Sequence, residues 1–197
     1  MFKLFFITTF SLLLTITHAT AATRDAQKIY DVMRGIGIKY LVSEDRKLPK
    51  KDREAWEKSL ADYVDFNALN TGMKERVRKA AAKDNNAMID EATLTSMEEK
   101  AVLFLVPREL SDYTIFYLKA MDKITDIPRC SDALQPRGDE KYSLCEQNIG
   151  PSEIAVNVII PTEDNIALVF KKTDRWRLAH IEKTISDKML LLIANWK

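Results

Sequence analysis

The thirty residues EIAVNVIIPTEDNIALVFKKTDRWRLAHIE (153–182) decide the architecture. Ile154, Val156, Val158 and Ile160 alternate with Glu153, Ala155 and Asn157, the period-two pattern of a strand with one face in a core. Pro161 to Asn165 makes a turn, and Ile166, Leu168 and Phe170 then alternate before Lys171 and Lys172. A second short turn at Thr173-Asp174 leads into Trp176, Leu178 and His180, a third alternating run. Segments this close together have no room for a crossover, so they predict three consecutive antiparallel strands.

The chain on either side of this meander reads as helix. Upstream, Ile29, Val32, Met33, Ile36 and Tyr40 recur at three-and-four spacing, with Gly35 and Gly37 allowing a close neighbour. A second helix is expected with Pro49 in its first turn, Trp56, Leu60, Tyr63 and Val64 along one side and a Glu54–Lys58 pair on the other. Asp65 reads as the N-cap of a third helix carrying Phe66, Leu69, Met73 and Val77. The polar tract Lys83-Asp84-Asn85-Asn86 ends it. A long helix capped at Thr95 or Ser96 then presents Leu103, Val106, Leu110, Tyr113 and Tyr117, with Pro107 predicting a kink or a break; after a break, Tyr113 to Leu118 could be a strand. Ile185, Met189, Leu192, Ile193 and Trp196 share a face of a short closing helix. Helices followed by a meander predict an α+β fold, with N-terminal helices packed on a curved C-terminal antiparallel sheet.

The first residues carry a different signal. Lys3 precedes an apolar run through Ile16, and Ala19, Thr20, Ala21 and Ala22 offer a small-residue cleavage site, which predicts a signal peptide over 1–22 and a single α+β domain over 23–197. A membrane anchor is the alternative, but the run is short for a bilayer of roughly 30 Å. The expected compartment is a periplasm. The whole chain has 30 basic and 29 acidic residues, and loss of Lys3 leaves them equal, a balance that argues against a nucleic-acid partner. Cys130 and Cys145, within a stretch holding Pro128, Pro136, Gly138, Gly150 and Pro151, read as a disulfide in an oxidising compartment. A metal or redox pair would need C-x-x-C spacing or more ligands.

Chemistry-bearing patterns are sparse. His180 is the one histidine beyond the signal segment and would need a carboxylate such as Asp112 or Asp65 to act as a general base. Asp84, Asn86, Asp90 and Glu91 resemble a calcium loop only faintly, lacking its glycine and terminal glutamate. Lys74, Arg76, Arg78, Lys79 and Lys83 cluster on one helix, as a solvated face or a phosphate contact. With no glycine-rich phosphate loop, nucleophile elbow or diagnostic carboxylate pair, no enzyme, cofactor or metal is expected. Phe66, Met73, Phe104, Tyr113, Phe116, Leu168, Phe170 and Trp176, with Trp196, would converge between helices and sheet, either as a filled core or as the lining of a cavity for an acyl chain.

Three stretches carry a family resemblance: Tyr63-Val64-Asp65-Phe66 at a helix junction, the Thr95–Leu118 helix, and Asp174-Arg175-Trp176-Arg177-Leu178 followed by Ile185-Ser186 and Leu192-Ile193-Ala194-Asn195-Trp196. In this order they resemble the MlaC family, the toluene-tolerance auxiliary proteins, which are periplasmic phospholipid carriers. The tryptophan-bearing last strand is similar to that of nuclear transport factor 2-like folds. The resemblance implies a cone-shaped fold and a soluble carrier of a hydrophobic ligand such as phospholipid, served by membrane-embedded transport partners. A protein-binding module of the same fold, such as a toxin-neutralising immunity protein or a secretion-system accessory, is the alternative; a small enzyme using His180 is a third.

Overall fold

The computed structural model describes residues 28–39, 53–83, 89–121, 129–131, 143–159 and 166–196, without the side chains of 115–121. The expected signal peptide, Pro49, Tyr40, the Pro161–Asn165 turn and the Phe116 side chain lie outside the described residues. Helices α1 (28–39), α2 (Arg53–Leu60), α3 (Phe66–Lys83) and α4 (Glu91–Met121) precede strands β1 (Ser143–Gly150), β2 (Glu153–Ile159), β3 (Ile166–Lys172) and β4 (Trp176–Glu182), and α5 (Asp187–Asn195) closes the chain. The sheet is antiparallel in the order β1-β2-β3-β4. The α+β expectation holds, with one strand more than the three expected.

That extra strand is β1, in the stretch read as a breaker-rich loop. Its Glu146, Gln147 and Asn148 are poor strand formers, and pairing with β2, which carries the strongly β-prone Ile154, Val156 and Val158, overrides them. Cys145 sits on this strand opposite Asn157, at a disulfide distance of 2.17 Å from Cys130. Cys130 N–H donates to the Glu146 carbonyl at 2.9 Å, so residue 130 is held to the strand through backbone as well as sulfur.

The helices are made by their buried stripes. Ile29, Met33 and Ile36 on α1 are fully buried, each contributing about 1.5–3 kcal/mol. Gly35 is required there, because a Cβ would lie 2.3 Å from the Tyr63 ring. Asp65 caps α3 as expected, its carboxylate accepting from Ala68 N–H at 3.1 Å. The expected Glu54–Lys58 pair is replaced by Arg53–Glu57 at 2.7 Å. Helix α4 begins earlier than expected, at Asp90 rather than Thr95 or Ser96: Asp90 Oδ1 accepts from Thr93 N–H at 2.7 Å. It is continuous through Pro107, so Tyr113–Leu118 is not a strand. Leu105, Val106 and Leu110 are buried around the proline, and this packing outweighs the lost hydrogen bond. On α5, Ser186 caps the first turn and Leu190, Ile193 and the preceding Ile185 are buried; Leu192, expected inward, is half exposed.

Two polar clusters fasten the helices to the sheet. Arg76 on α3 makes a two-pronged pair with Glu109 on α4, at 2.7 and 2.8 Å, while its Nε donates to the Lys183 carbonyl at 2.7 Å. Both side chains are largely buried, at 13% and 12% exposure, so removing one leaves the other charge uncompensated. At the β3–β4 turn, Asp174 accepts from Thr173 Oγ1 (2.9 Å), Arg175 Nε (3.1 Å) and Arg177 (2.8 Å). Arg175 also reaches Asp62, and Arg177 Nε the Ala61 carbonyl at 3.0 Å.

Arg76→Ala is expected to lower unfolding free energy by about 3–5 kcal/mol in a denaturant titration, whereas Arg76→Met with Glu109→Leu recovers most of it; equal loss in both would refute the buried-pair account. The Thr173 hydroxyl, and then the two arginines, hold the Asp174 carboxyl far below the usual carboxylate range. A depressed folded value means stabilisation present above about pH 4, the unfolded value, and lost as pH falls toward the folded one. The stability difference between wild type and Asp174→Asn should therefore be largest near neutrality and shrink below pH 4.

Candidate functional site

A bulge in β4 shapes one wall of a cleft. Val169 pairs with His180, but Phe170 pairs with Leu178, so Ala179 has no cross-strand partner. Simple alternation put His180 on the face of Trp176 and Leu178. The bulge reverses this: Ile181 joins Val156 and Leu168 in the core-facing row, and His180 and Glu182 fall on the second face. There Glu182 lies in one row with Ala167, Asn157 and Cys145.

Helix α3 runs beside this strand. Gly72 meets His180 so closely that a Cβ would lie 2.9 Å from Nδ1, the practical reason for glycine in mid-helix. From Gly72 the stripe Arg76, Lys79, Lys83 continues at helical spacing and forms one wall of a cleft of about 680 Å³. His180, Glu182, Lys183 and Thr184 stand opposite, and Ala80, Ala167, Ile181 and Ile185 supply apolar surface. A smaller recess of about 540 Å³ lies beside the disulfide, lined by Arg129, Cys130, Ser131 and Glu146–Asn148.

The basic cluster on α3 divides in two. Lys74 pairs with Glu99, Arg78 with Glu91 and Glu98, and Arg76 with Glu109. Lys79 and Lys83 make no ion pair among the described residues, and both line the cleft. Asp90 and Glu91, from the faint calcium pattern, are the α4 cap and an Arg78 partner; Asp84 and Asn86 lie outside the described residues. The Thr93 amide, Asp90's strongest contact, lowers its carboxyl pKa. Among the described residues no group of three or more histidine, cysteine or acidic side chains could hold a metal ion.

The residues expected to line a ligand cavity are gathered elsewhere. Phe66, Met73, Leu168, Phe170 and Trp176 are buried in one continuous core, with Phe104 and Tyr113 packed against it, and none of the seven lines the 680 Å³ cleft. Phe104 packs at a tilt against Trp196 with ring centroids 5.6 Å apart, and Phe66 against Trp56 at 5.1 Å. The Trp176 indole Nε1 is buried without an acceptor among the described residues, a state costing about 1–3 kcal/mol. Neither carboxylate considered for His180 serves it: Asp65 caps α3, and Asp112 is exposed near Arg108 at 3.6 Å. Sequence reasoning missed Gly72, Asn157, Glu182, Lys183 and Thr184 as neighbours of His180. The Gly72–Arg76–Lys79–Lys83 spacing was the one signal that could have suggested a shared face.

The Gly72–His180 contact is testable by a double-mutant cycle. In a His180→Ala background, Gly72→Ala should stabilise by about 0.5–1 kcal/mol, the ordinary gain in a helix interior. With His180 present the gain should vanish or reverse; equal effects in both backgrounds would show that the ring does not crowd α3.

Among the described residues, no helix is long and apolar enough to cross a membrane. Comparison with protein-family models, curated proteins and solved structures finds no match for this chain.

Proposed function

We propose that this protein is an exported, periplasmic carrier of an amphiphilic, phospholipid-like ligand, built on a cone-shaped fold of the nuclear transport factor 2-like kind and held in the cleft between α3 and β4. The observation that carries this reading is the cleft itself: about 680 Å³, with apolar surface from Ala80, Ala167, Ile181 and Ile185 and charged walls. Ligand sites commonly measure about 300–1,000 Å³ and combine an apolar lining with a few polar groups. Burial of the ligand's apolar part, at roughly 25 cal/mol per Å², would hold it without covalent chemistry. The order of motifs that resembles MlaC proteins supports the same reading, and membrane-embedded donors and acceptors would be its partners.

This places the ligand differently from a cavity between the layers. Leu168 and Phe170 are wholly buried and Met73 nearly so, so an acyl chain among them would have to part a packed core. In the cleft it would not.

Native mass spectrometry of protein purified from the periplasm, with organic extraction, tests the reading. A lipid or fatty acid at near-stoichiometric yield is expected, falling at least fivefold in Ala167→Trp, which fills the cleft. An empty wild-type protein, under conditions that keep a known carrier loaded, would overturn it. A second reading, a protein-binding module, draws on the adjacent Leu191 and Leu192 of α5, 65% and 51% exposed. Capture of a partner that is lost on Leu191→Asp with Leu192→Asp would favour it.

A further inference from the structure

We infer that the cleft selects an anionic headgroup, a phosphate or carboxylate held by Lys79, Lys83 and Lys183, over a neutral one. This inference rests on the amphiphile-carrier reading and deepens it. Four cations line the cleft, but they are not equivalent. Arg76 is already committed: each terminal nitrogen donates to Glu109 and Nε donates to the Lys183 carbonyl. Its charge is neutralised in place, and its role is to position α3 against the β4–α5 connection.

Lys79 and Lys83 differ from the neighbouring Lys74 and Arg78. Those two are engaged by Glu99, Glu91 and Glu98 of α4, whereas Lys79 and Lys83, one turn apart, face the cleft with no carboxylate bound among the described residues. Across from them Lys183 rests its ammonium 5.7 Å from the Tyr113 ring centre, a contact that leaves its hydrogen-bond donors usable. Glu75 and Glu182 also line the cleft, so three lysines face two carboxylates and the local excess is positive. The Thr184 hydroxyl is a further donor on the same lining, whereas the Asn157 amide already donates to Cys130 Sγ at 3.3 Å. Charge-assisted bonds from lysines to an oxyanion are stronger than neutral ones, and a concave, partly apolar wall screens them less than open water does.

Isothermal titration of the mature protein with three probes tests this: dodecyl phosphate, dodecyl maltoside with the same tail and a neutral head, and inorganic phosphate. Dodecyl phosphate is expected to bind at least tenfold more tightly than either of the others. Lys79→Glu with Lys83→Glu should abolish that preference; Lys79→Gln with Lys83→Gln, a gentler change on two exposed positions, should reduce it at least threefold. Equal binding of the two dodecyl probes, unaffected by the lysine changes, would overturn anion selection while keeping the amphiphile reading. Inorganic phosphate binding as tightly as dodecyl phosphate would support anion recognition and overturn the amphiphile carrier. Binding of none would overturn both.

Discussion

The structure depends on one short backbone suture. Leu178 N–H donates to the Tyr63 carbonyl and Asp65 N–H to the Leu178 carbonyl, each at 2.9 Å, joining the α2–α3 junction to β4 through a bridge between Val64 and Leu178. These two bonds give the outer side of β4 a partner and point α3 along the strand. Everything around the junction reinforces the placement. Tyr63 lies against Gly35 of α1, Phe66 packs against Trp56, Arg177 bonds the Ala61 carbonyl, and Arg175 pairs with Asp62. Backbone polar groups at the edge of a sheet must find partners when buried, and here they find them in the segment that launches the next helix.

Once α3 is launched from that point, its faces have fixed neighbours. Leu69, Met73 and Val77 enter the core, Gly72 meets His180, and Arg76 reaches Glu109 on α4 and the chain beyond β4. The charges on α3 sort by face: Lys74 and Arg78 find carboxylates on α4, Lys79 and Lys83 look onto the cleft, and Arg76 does both. A cluster of like charges on one helix thus serves two purposes, fastening two helices together and lining a concave surface. Neither purpose requires a catalytic group, and His180 is positioned by close contact with glycine rather than by a carboxylate.

Much of the fold was legible because it rests on local rules. The strands β2, β3 and β4 follow from period-two alternation, the start of α3 from the capping chemistry of Asp65, and the apolar stripe of α1 from helical spacing. Where the sequence misled, a non-local interaction won. The polar β1 exists because β2 offers it a long ladder, and α4 survives Pro107 because buried side chains on both sides hold it; only the shift of its cap back to Asp90 is local, that carboxylate meeting Thr93 N–H three residues on. Of the aromatics expected to line a ligand cavity, Phe66, Phe170 and Trp176 are buried, and Phe104 and Tyr113 pack against the core. Composition could not say whether they would enclose a space or fill it.

The sequence by itself determined the class of the fold and the identity of the core, since both depend on which residues shun water and at what period they recur. Only the tertiary structure decided the composition of the cleft. One unpaired residue, Ala179, reverses the sidedness of β4 after Leu178, sending Ile181 inward and His180 and Glu182 to the second face. A bulge leaves no mark in a pattern of apolar residues, because Ala179 and Ile181 are compatible with either side. It is settled by where the β3 ladder and the glycine on α3 leave room for an imidazole, a balance of contacts among segments about a hundred residues apart in the chain.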